Sequence, residues 1–208
     1  MEDHDGMLTA KRQMNGGHFH AVRFYDNEAS LCHIVAGFLR EGLALGQPSL
    51  VIATPAHSQG IIAELRAREV DVNELQASND LVVLDAEDVM TAFMMDGKPD
   101  AGKFEVIASE AIERARRGRA GRTVRAYIEM VDVLWKAGQD VAAIQLEMLW
   151  NRLARTSEFS LLCGYAMGSF YKDASVADVC RQHTHLVSAD GTPHLSDADS
   201  LLIGAFRQ

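Results

Sequence analysis

Residues 49–68 read SLVIATPAHSQGIIAELRAR, and this stretch contains the unit from which the fold is built. Residues 49–54 are a continuous apolar run, as expected for a strand buried on both faces of a sheet. Pro55 then suits the first turn of a helix, because its φ is fixed at a helical value and no N–H is needed there. That helix is expected to run to about Arg68. A buried strand that leads directly into a helix is typical of a parallel sheet.

The same alternation of strand and helix continues on both sides of this unit. Further strands are predicted at 20–25, 80–85, 122–129, 158–165 and 183–187. Further helices are predicted at 28–45, 86–95, 101–117, 139–155 and 175–182. The predicted fold class is therefore α/β, with a mostly parallel central sheet and helices on both faces in a three-layer sandwich. We expect a flexible leader over 1–17, one domain over 18–190 and a C-terminal tail over 191–208.

The charge balance and the cysteine content exclude several classes of protein. The chain of 208 residues has 20 basic and 29 acidic side chains and a net charge of −9. Direct binding of nucleic acid or of an anionic membrane is not expected, because both need clustered positive charge. One basic run at 114–119 is interpreted as a solvated helix end, with a phosphate or partner contact as the alternative. Three irregularly spaced cysteines, with no membrane-length apolar window and no signal peptide, predict a cytoplasmic protein.

A candidate ligand site follows from the rule that open parallel sheets bind ligands outside the carboxyl ends of their strands. The predicted strands end in aromatic and carboxylate residues, and one of them contains a thiol. We expect these side chains to converge on one crevice. The predicted ligand-binding residues are His20, Phe24, Tyr25, Asp26, Asn27, Glu129, Glu147, Cys163, Tyr165 and His183.

Glu129 is notable in this set, because a carboxylate at a buried strand end costs free energy unless it is paired. Arg125 lies four residues earlier on the same strand and is a distant candidate partner. Glu147, on the following helix, is a second side chain that could face the same region. The alternative interpretation is that Glu129 caps a neighbouring helix or pairs with a surface arginine.

Histidines recur at a spacing of two residues, as His18 and His20 and again as His183 and His185. Cys180 precedes the second pair by three residues, so a metal site is one interpretation. The spacing does not match a strong zinc pattern. Hydrogen-bonded structural histidines are the preferred prediction, and neither a metal nor a cofactor is expected.

The motifs of several enzyme classes are missing from the sequence. No Gly-rich phosphate loop follows the first strand, and neither a Gly-x-Gly-x-x-Gly turn nor a Gly-x-Ser-x-Gly nucleophile elbow is present. Cys163 is conceivable as a nucleophile beside a histidine. Cysteines in the middle of strands are more often buried apolar residues. The sequence therefore predicts a protein that is not an enzyme.

A set of short motifs resembles the MEDS domain, which is found in bacterial and archaeal regulators. The resemblance begins at His20-x-x-x-Phe-Tyr-Asp26-Asn27-Glu28 and at a helix that ends in Gly42-Leu-x-x-Gly46. It continues through Leu50-Val-Ile-Ala-Thr54-Pro55, Leu81-Val-Val-Leu-Asp85-Ala86 and Val124-x-x-x-Ile-Glu129-Met130. The later matches are Glu147, Leu162-Cys163-x-Tyr165 and Val179-Cys180-x-x-His183. Together these motifs span roughly residues 18–187.

The resemblance implies a RecA- or KaiC-like core that has lost its phosphate-binding loop. It also implies a sensory role with hydrocarbon derivatives as ligands. Members of the family are often fused to a DNA-binding helix-turn-helix or to a histidine kinase, and neither fusion is expected here. The expected mode of action is therefore a stand-alone sensor that signals through a partner regulator or kinase. Ile128 replaces the glycine that the family has before Glu129, which is expected to narrow the crevice.

Three hypotheses about function remain at this stage. The first is a sensor that binds a small, partly apolar molecule. The second is an interaction adaptor without a ligand, whose contact face would be the helix at 139–155 with Trp135 and Trp150 near it. The third is a thiol- or metal-dependent hydrolase. A homo-oligomer is compatible with all three.

Overall fold

The computed structural model describes residues 19–117, 119, 121–170 and 176–196. The predicted leader at 1–17, His18 and the last part of the predicted tail lie outside these residues. Within them the strands are β1 His20–Tyr25, β2 Ser49–Ala53, β3 Leu81–Asp85, β4 Met94–Met95, β5 Lys98–Pro99, β6 Val124–Ile128, β7 Phe159–Ala166, β8 His185–Val187 and β9 Pro193–Leu195. The α-helices are α1 Glu28–Ala44, α2 Pro55–Ala67, α3 Val72–Ala77, α4 Ala86–Phe93, α5 Ala101–Arg116, α6 Met130–Lys136, α7 Asp140–Leu153 and α8 Val176–Arg181.

The central sheet of the described residues has seven strands in the order β3-β2-β6-β7-β1-β8-β9. All neighbouring pairs are parallel except β8 and β9, which run antiparallel. The predicted α/β fold with a mostly parallel sheet is therefore confirmed. None of the helices in the described residues has the length and hydropathy to cross a lipid bilayer.

Helices cover both faces of the sheet, which gives the molecule three layers. One face packs against α4, α5, α6 and α7 in a core that contains Phe104 and Trp150. The opposite face packs against α1 and α2 in a core that contains Leu31 and Ile61. Because both faces are covered, strands β2 and β6 are buried along their whole length.

The structure contains several elements that the sequence patterns did not predict. Helices α3 and α6 are short, and strands β4 and β5 form a hairpin whose turn residues Asp96 and Gly97 both have positive φ. The helix predicted at 86–95 therefore ends at Phe93. Residues 193–195, predicted as tail, form β9 on the edge of the sheet. The last predicted strand begins at His185 rather than at His183.

The prediction that Trp135 and Trp150 belong to the contact face of an interaction adaptor is wrong. Trp150 is fully buried and Trp135 is 6% exposed, so both belong to the core. Trp150 packs edge-on against Phe104 and against Phe159. The exposed apolar side chains of α7 are instead Val141 and Met148.

Candidate functional site

Two groups of polar side chains, most of them buried, lie at different places on the sheet. The inner cluster lies on the face covered by α7, and its members are His20, Glu147, Asn151, Cys163, Tyr165 and His183. The edge cluster lies where β1, β2 and β6 end, and its members are Tyr25, Thr54, His57, Glu129, Asp132 and Lys136.

The inner cluster is assembled by strand alternation. Side chains two residues apart point to the same face of a strand, which places Cys163 and Tyr165 of β7 on one face. His20 begins β1, which is paired with β7, and it lies on that same face. Helix α7 covers this face and contributes Glu147, while His183 comes from the short segment between α8 and β8.

Glu147 is the centre of the inner cluster, and its carboxylate is fully buried. Tyr165 donates a hydrogen bond from its hydroxyl to Oε1 at 2.8 Å. Nε2 of His20 lies 3.2 Å from Oε2, and Nε2 of His183 lies 3.4 Å from Oε1. The Cys163 thiol lies 3.8 Å from Oε2 and 3.4 Å from the Nε2 of His20. Four side chains of three chemical types, a phenol, a thiol and two imidazoles, therefore surround one buried carboxylate.

The outer nitrogen of each histidine ring faces an acceptor. Nδ1 of His183 lies 2.7 Å from the carbonyl oxygen of Val179, so it carries the proton. Nδ1 of His20 lies 2.9 Å from Oδ1 of Asn151, whose amide nitrogen donates to the carbonyl of Gln182 at 2.8 Å. That donation makes Oδ1 the acceptor, so Nδ1 of His20 is also protonated. In the neutral rings, both Nε2 lone pairs then point towards Glu147.

Burial and charge act in opposite directions on this cluster. Burial alone would raise the pKa of Glu147, but His183 and His20 beside it bring that pKa well below its usual range. Burial, followed by the nearby His183, lowers the pKa of His20. Burial and the charge of Glu147 raise the pKa of the Cys163 thiol. The carboxylate of Glu147 is therefore ionised, while His20 and the thiol are neutral.

The edge cluster follows from the places where parallel strands end. Tyr25 is the last residue of β1, Thr54 follows β2, and Glu129 follows β6. Helix α2 follows β2 and contributes His57, and helix α6 follows β6 and contributes Asp132. This is the edge at which open parallel sheets bind ligands.

Glu129 links two helix starts within the edge cluster, and it is 1% exposed. It accepts hydrogen bonds from the backbone N–H of Thr54 at 2.9 Å and from the Thr54 hydroxyl at 3.1 Å. Nδ1 of His57 lies 2.7 Å from its Oε1. Among the described residues, Nε2 of His57 is buried without a hydrogen-bond partner. The interpretation that Glu129 pairs with Arg125 is wrong, because Arg125 donates to Gln47 instead.

Asp132 is the second carboxylate of the edge cluster, and it is fully buried. It accepts a hydrogen bond from the hydroxyl of Tyr25 at 2.9 Å and another from the backbone N–H of Ala166 at 2.9 Å. The ammonium of Lys136 lies 2.7 Å from it and also donates to the Tyr25 hydroxyl at 3.0 Å. These contacts join the start of α6 to the ends of β1 and β7.

The carboxylates of the edge cluster perturb the groups around them. The hydrogen bond to Glu129 raises the pKa of His57, although burial opposes that change. Burial, followed by Asp132, raises the pKa of Tyr25. Burial and then Glu129 raise the pKa of the Cys32 thiol to about 11. The phenol of Tyr25 and the thiol of Cys32 are therefore neutral at physiological pH.

The structure divides the ten predicted ligand-binding residues instead of gathering them in one crevice. Two of them, Tyr25 and Glu129, belong to the edge cluster. Asn27 caps α1 by accepting the backbone N–H of Ser30, and Asp26 is exposed. Phe24 is 9% exposed, and its ring lies 6.1 Å from that of Tyr165. The remaining five belong to the inner cluster: His20, Glu147, Cys163, Tyr165 and His183.

The suggested grouping of Cys180 with His183 and His185 is wrong. His185 stacks on Phe19 at a centroid distance of 4.7 Å and contacts Thr184, away from the inner cluster. Cys180 is buried and is absent from the group of potential ligand atoms found in the described residues.

The ten predicted ligand-binding residues omit four members of the edge cluster and one of the inner cluster, namely Thr54, His57, Asp132, Lys136 and Asn151. His57 and Asp132 each lie three residues after a strand-end residue, Thr54 and Glu129 respectively. A search of the first helical turn after each predicted strand would have selected both. Lys136 lies four residues after Asp132, the spacing at which side chains meet on a helix. Asn151 stands four residues after Glu147 in the same relation.

A surface cavity of about 150 Å³ lies between α5 and α7, away from both clusters. Its apolar wall contains Phe104, Leu149 and Leu153. Glu105 and Arg152 stand at its rim and lie 3.3 Å apart. No residue of either cluster lines this cavity. The carboxylates of both clusters are enclosed by protein.

The fold and its enclosed polar clusters define the class of the protein as an α/β three-layer domain with a parallel sheet. The model of the MEDS family, described as the methanogen/methylotroph, DcmR sensory domain, matches residues 19–184. The chain therefore belongs to the MEDS family, whose members are sensory domains. The match covers both clusters and every helix from α1 to α8. A comparison with curated proteins gave no match.

Proposed function

We propose that this sensory domain detects a small, partly apolar molecule at the edge cluster, and that it does so without chemically converting it. The observation that carries the proposal is the Nε2 atom of His57. Among the described residues it is buried without a hydrogen-bond partner, and a buried polar group in that state costs about 1–3 kcal/mol. A ligand that bonds to this atom would remove the cost. His57 also lies at the carboxyl edge of the sheet, and open parallel sheets bind ligands at this edge.

The chemistry of His57 points to a hydroxyl compound as the ligand. Nδ1 is held by Glu129, so Nε2 accepts a hydrogen bond when the ring is neutral and donates one when it is protonated. A hydroxyl group can do both, and it therefore suits either state of the ring. The Tyr25 ring meets the His57 ring edge-on at 5.8 Å, and the Cys32 thiol lies near the backbone carbonyl of His57. These neighbours supply an apolar surface for a short alkyl chain.

The edge cluster also offers a route by which binding could alter the domain. Glu129 connects the start of α6 to Thr54, which precedes α2, and His57 is part of that connection. A ligand that shifts His57 changes this contact between the two helix starts. We propose that the resulting movement is passed to a partner regulator or histidine kinase. The role of Cys163 as a nucleophile receives no support, because burial keeps it a thiol rather than a thiolate.

The test is ligand-induced thermal stabilisation of the full chain in the presence of simple alcohols. His57→Asn keeps an amide near the position of Nδ1 and removes Nε2, so the contact to Glu129 can survive while the ligand contact cannot. His33→Asn is the matched control, because His33 is an exposed histidine on neighbouring α1. At a ligand concentration 100 times its Kd, the stabilisation is about 2.7 kcal/mol.

We expect at least one short-chain alcohol to raise the unfolding temperature of the wild type and of His33→Asn, but not that of His57→Asn. If no alcohol stabilises the wild type, the proposed ligand class is wrong. If an alcohol stabilises His57→Asn equally, the proposed position of the site is wrong.

A further inference from the structure

We propose that the inner cluster binds one divalent ion of the zinc class. Four buried side chains offer one ligand atom each, and these atoms all lie within 4.8 Å of one another: His20, Glu147, Cys163 and His183. The proposal goes beyond the sensing of a small molecule. It concerns the cluster beneath α7 and shares no residue with the edge cluster.

Four of the six distances between the ligand atoms lie close to those of a tetrahedral site, and all six are within 4.8 Å. Zn–N bonds of about 2.0 Å and Zn–S bonds of about 2.3 Å place neighbouring ligand atoms about 3.3–3.6 Å apart. Nε2 of His20 lies 3.2 Å from Glu147 and 3.4 Å from Cys163. Nε2 of His183 lies 3.4 Å from Glu147, and the thiol of Cys163 lies 3.8 Å from the same carboxylate. Small shifts would place an ion between them.

The orientation of the histidines is that of metal ligands. A histidine ligand normally donates its outer N–H to a carbonyl or carboxylate, which fixes the inner nitrogen as the lone pair. The carbonyl of Val179 fixes His183 in this way, and the side chain of Asn151 fixes His20. Nε2 of His183 is buried, and Oε1 of Glu147 lies 3.4 Å from it. For a neutral ring with its proton on Nδ1, this arrangement is repulsive unless a cation or proton lies between the two atoms.

The charges also balance. A divalent cation is neutralised by the Glu147 carboxylate together with the Cys163 thiolate, while both histidines stay neutral. When the ion binds, the thiol loses its proton to solvent and the S–metal bond forms, as occurs for coordinating thiols. The mixture of two imidazoles, a thiolate and a carboxylate suits Zn²⁺. With four protein ligands the site is closed, so the ion would tie β1, β7 and α7 to the segment before β8.

The first experiment measures metal in the full chain purified without chelator. We expect about one transition-metal ion per chain by mass spectrometry of the elements. The double variant Cys32→Ala/Cys180→Ala leaves Cys163 as the only thiol, because the chain has three cysteines. Both replaced cysteines are buried outside the proposed ligand set. We expect this variant to retain the ion.

The second experiment replaces the ion with Co²⁺, whose bond to a thiolate gives a charge-transfer band in the near ultraviolet. We expect the band in the wild type and in the double variant, and we expect Cys163→Ser to lack it. Asn151→Leu removes the acceptor that orients His20, and such changes lower metal affinity about 10- to 100-fold. Circular dichroism establishes that each protein is folded.

Two results would overturn the proposal. If the folded wild type retains no transition metal and Co²⁺ produces no thiolate band, the cluster is a metal-free ion pair between Glu147 and a histidine. If the band is present in the wild type and absent from the folded double variant, the thiolate ligand is not Cys163. Should Cys163→Ser fail to fold, the double variant still decides the outcome, since Cys163 is then the sole source of a thiolate.

Discussion

Replacing Asp132 with asparagine removes the charge of a fully buried carboxylate while leaving its shape almost unchanged. Asp132 accepts two hydrogen bonds, from the Tyr25 hydroxyl and from the N–H of Ala166, and it pairs with the ammonium of Lys136. In the variant, an amide N–H₂ replaces one carboxylate oxygen. This new donor then faces either the Tyr25 hydroxyl or the N–H of Ala166, both of which are donors themselves. The ammonium of Lys136 also loses its counter-charge.

The magnitude follows from the burial of the two partners. Breaking a buried ion pair by removing one charge costs about 3–5 kcal/mol. The Lys136 side chain is 42% exposed, so water compensates for part of the loss. The asparagine also keeps one acceptor, and its hydrogen bond to a neutral donor contributes only about 1 kcal/mol. We therefore expect Asp132→Asn to lower the free energy of unfolding by about 2–3 kcal/mol.

Urea unfolding followed by circular dichroism measures this difference, with Asp85→Asn as the matched control. Asp85 is the N-cap of α4, where it accepts the N–H groups of Glu87 and Asp88. Aspartate and asparagine are nearly equivalent at an N-cap, so that variant should change stability by less than about 0.5 kcal/mol. A loss below about 0.5 kcal/mol in Asp132→Asn, with an unchanged urea dependence, would refute the assigned role of this carboxylate.

Three further predictions concern Gly164, Trp150 and the pair of His57 and Glu129. A Cβ at Gly164 would lie 2.8 Å from the hydroxyl oxygen of buried Tyr127, so Gly164→Ala should destabilise the fold by about 1–3 kcal/mol in urea unfolding. Adding Tyr127→Phe should recover part of this loss, and no recovery would locate the clash elsewhere. Trp150 is fully buried, so Trp150→Ala should cost about 3–5 kcal/mol by the same measurement, and a cost under about 1 kcal/mol would contradict its place in the core. Because Glu129 raises the pKa of His57 above 6.5, their contact should contribute full stability below that pH and lose it as pH rises through the raised pKa. Unfolding measured over a pH series should show this loss in the wild type, and a loss of equal size in Glu129→Gln would assign it to other groups.

The overall architecture could be predicted because the buried strands are nearly uniform in character. Residues 49–53 and 124–128 are buried at every position, and such runs are distinct in the sequence. Helix α6 could not be predicted in the same way. It has only seven residues, begins directly after the strand-end residue Glu129, and has apolar side chains over most of its surface. A short apolar segment of this kind gives no clear helical period.

The sequence patterns predicted which residues belong to the candidate site better than they predicted how those residues are arranged. Tyr25 and Phe24 are adjacent in β1, and adjacent side chains of a strand point to opposite faces. Strand alternation alone therefore separates Tyr25 from Phe24, and the expectation of one crevice overlooked this. The tautomers that orient His20 and His183 depend on Asn151 and on the carbonyl of Val179. Those contacts arise only from tertiary packing, so sequence spacing could not reveal them.

The position of β1 in the sheet affects how the chain folds while it is being synthesised. Among the described strands β1 comes first in the chain, but its neighbours in the sheet are β7 and β8, and His20 is in register with Leu161. The backbone N–H and C=O groups of β1 stay unpaired until β7, about 140 residues later in the chain, has been translated. Such a large sequence separation slows folding. Strands β2 and β3 can pair much earlier. We expect nascent chains stalled before residue 159 to keep β1 accessible to proteases and chaperones, and the sheet to close only when β7 emerges.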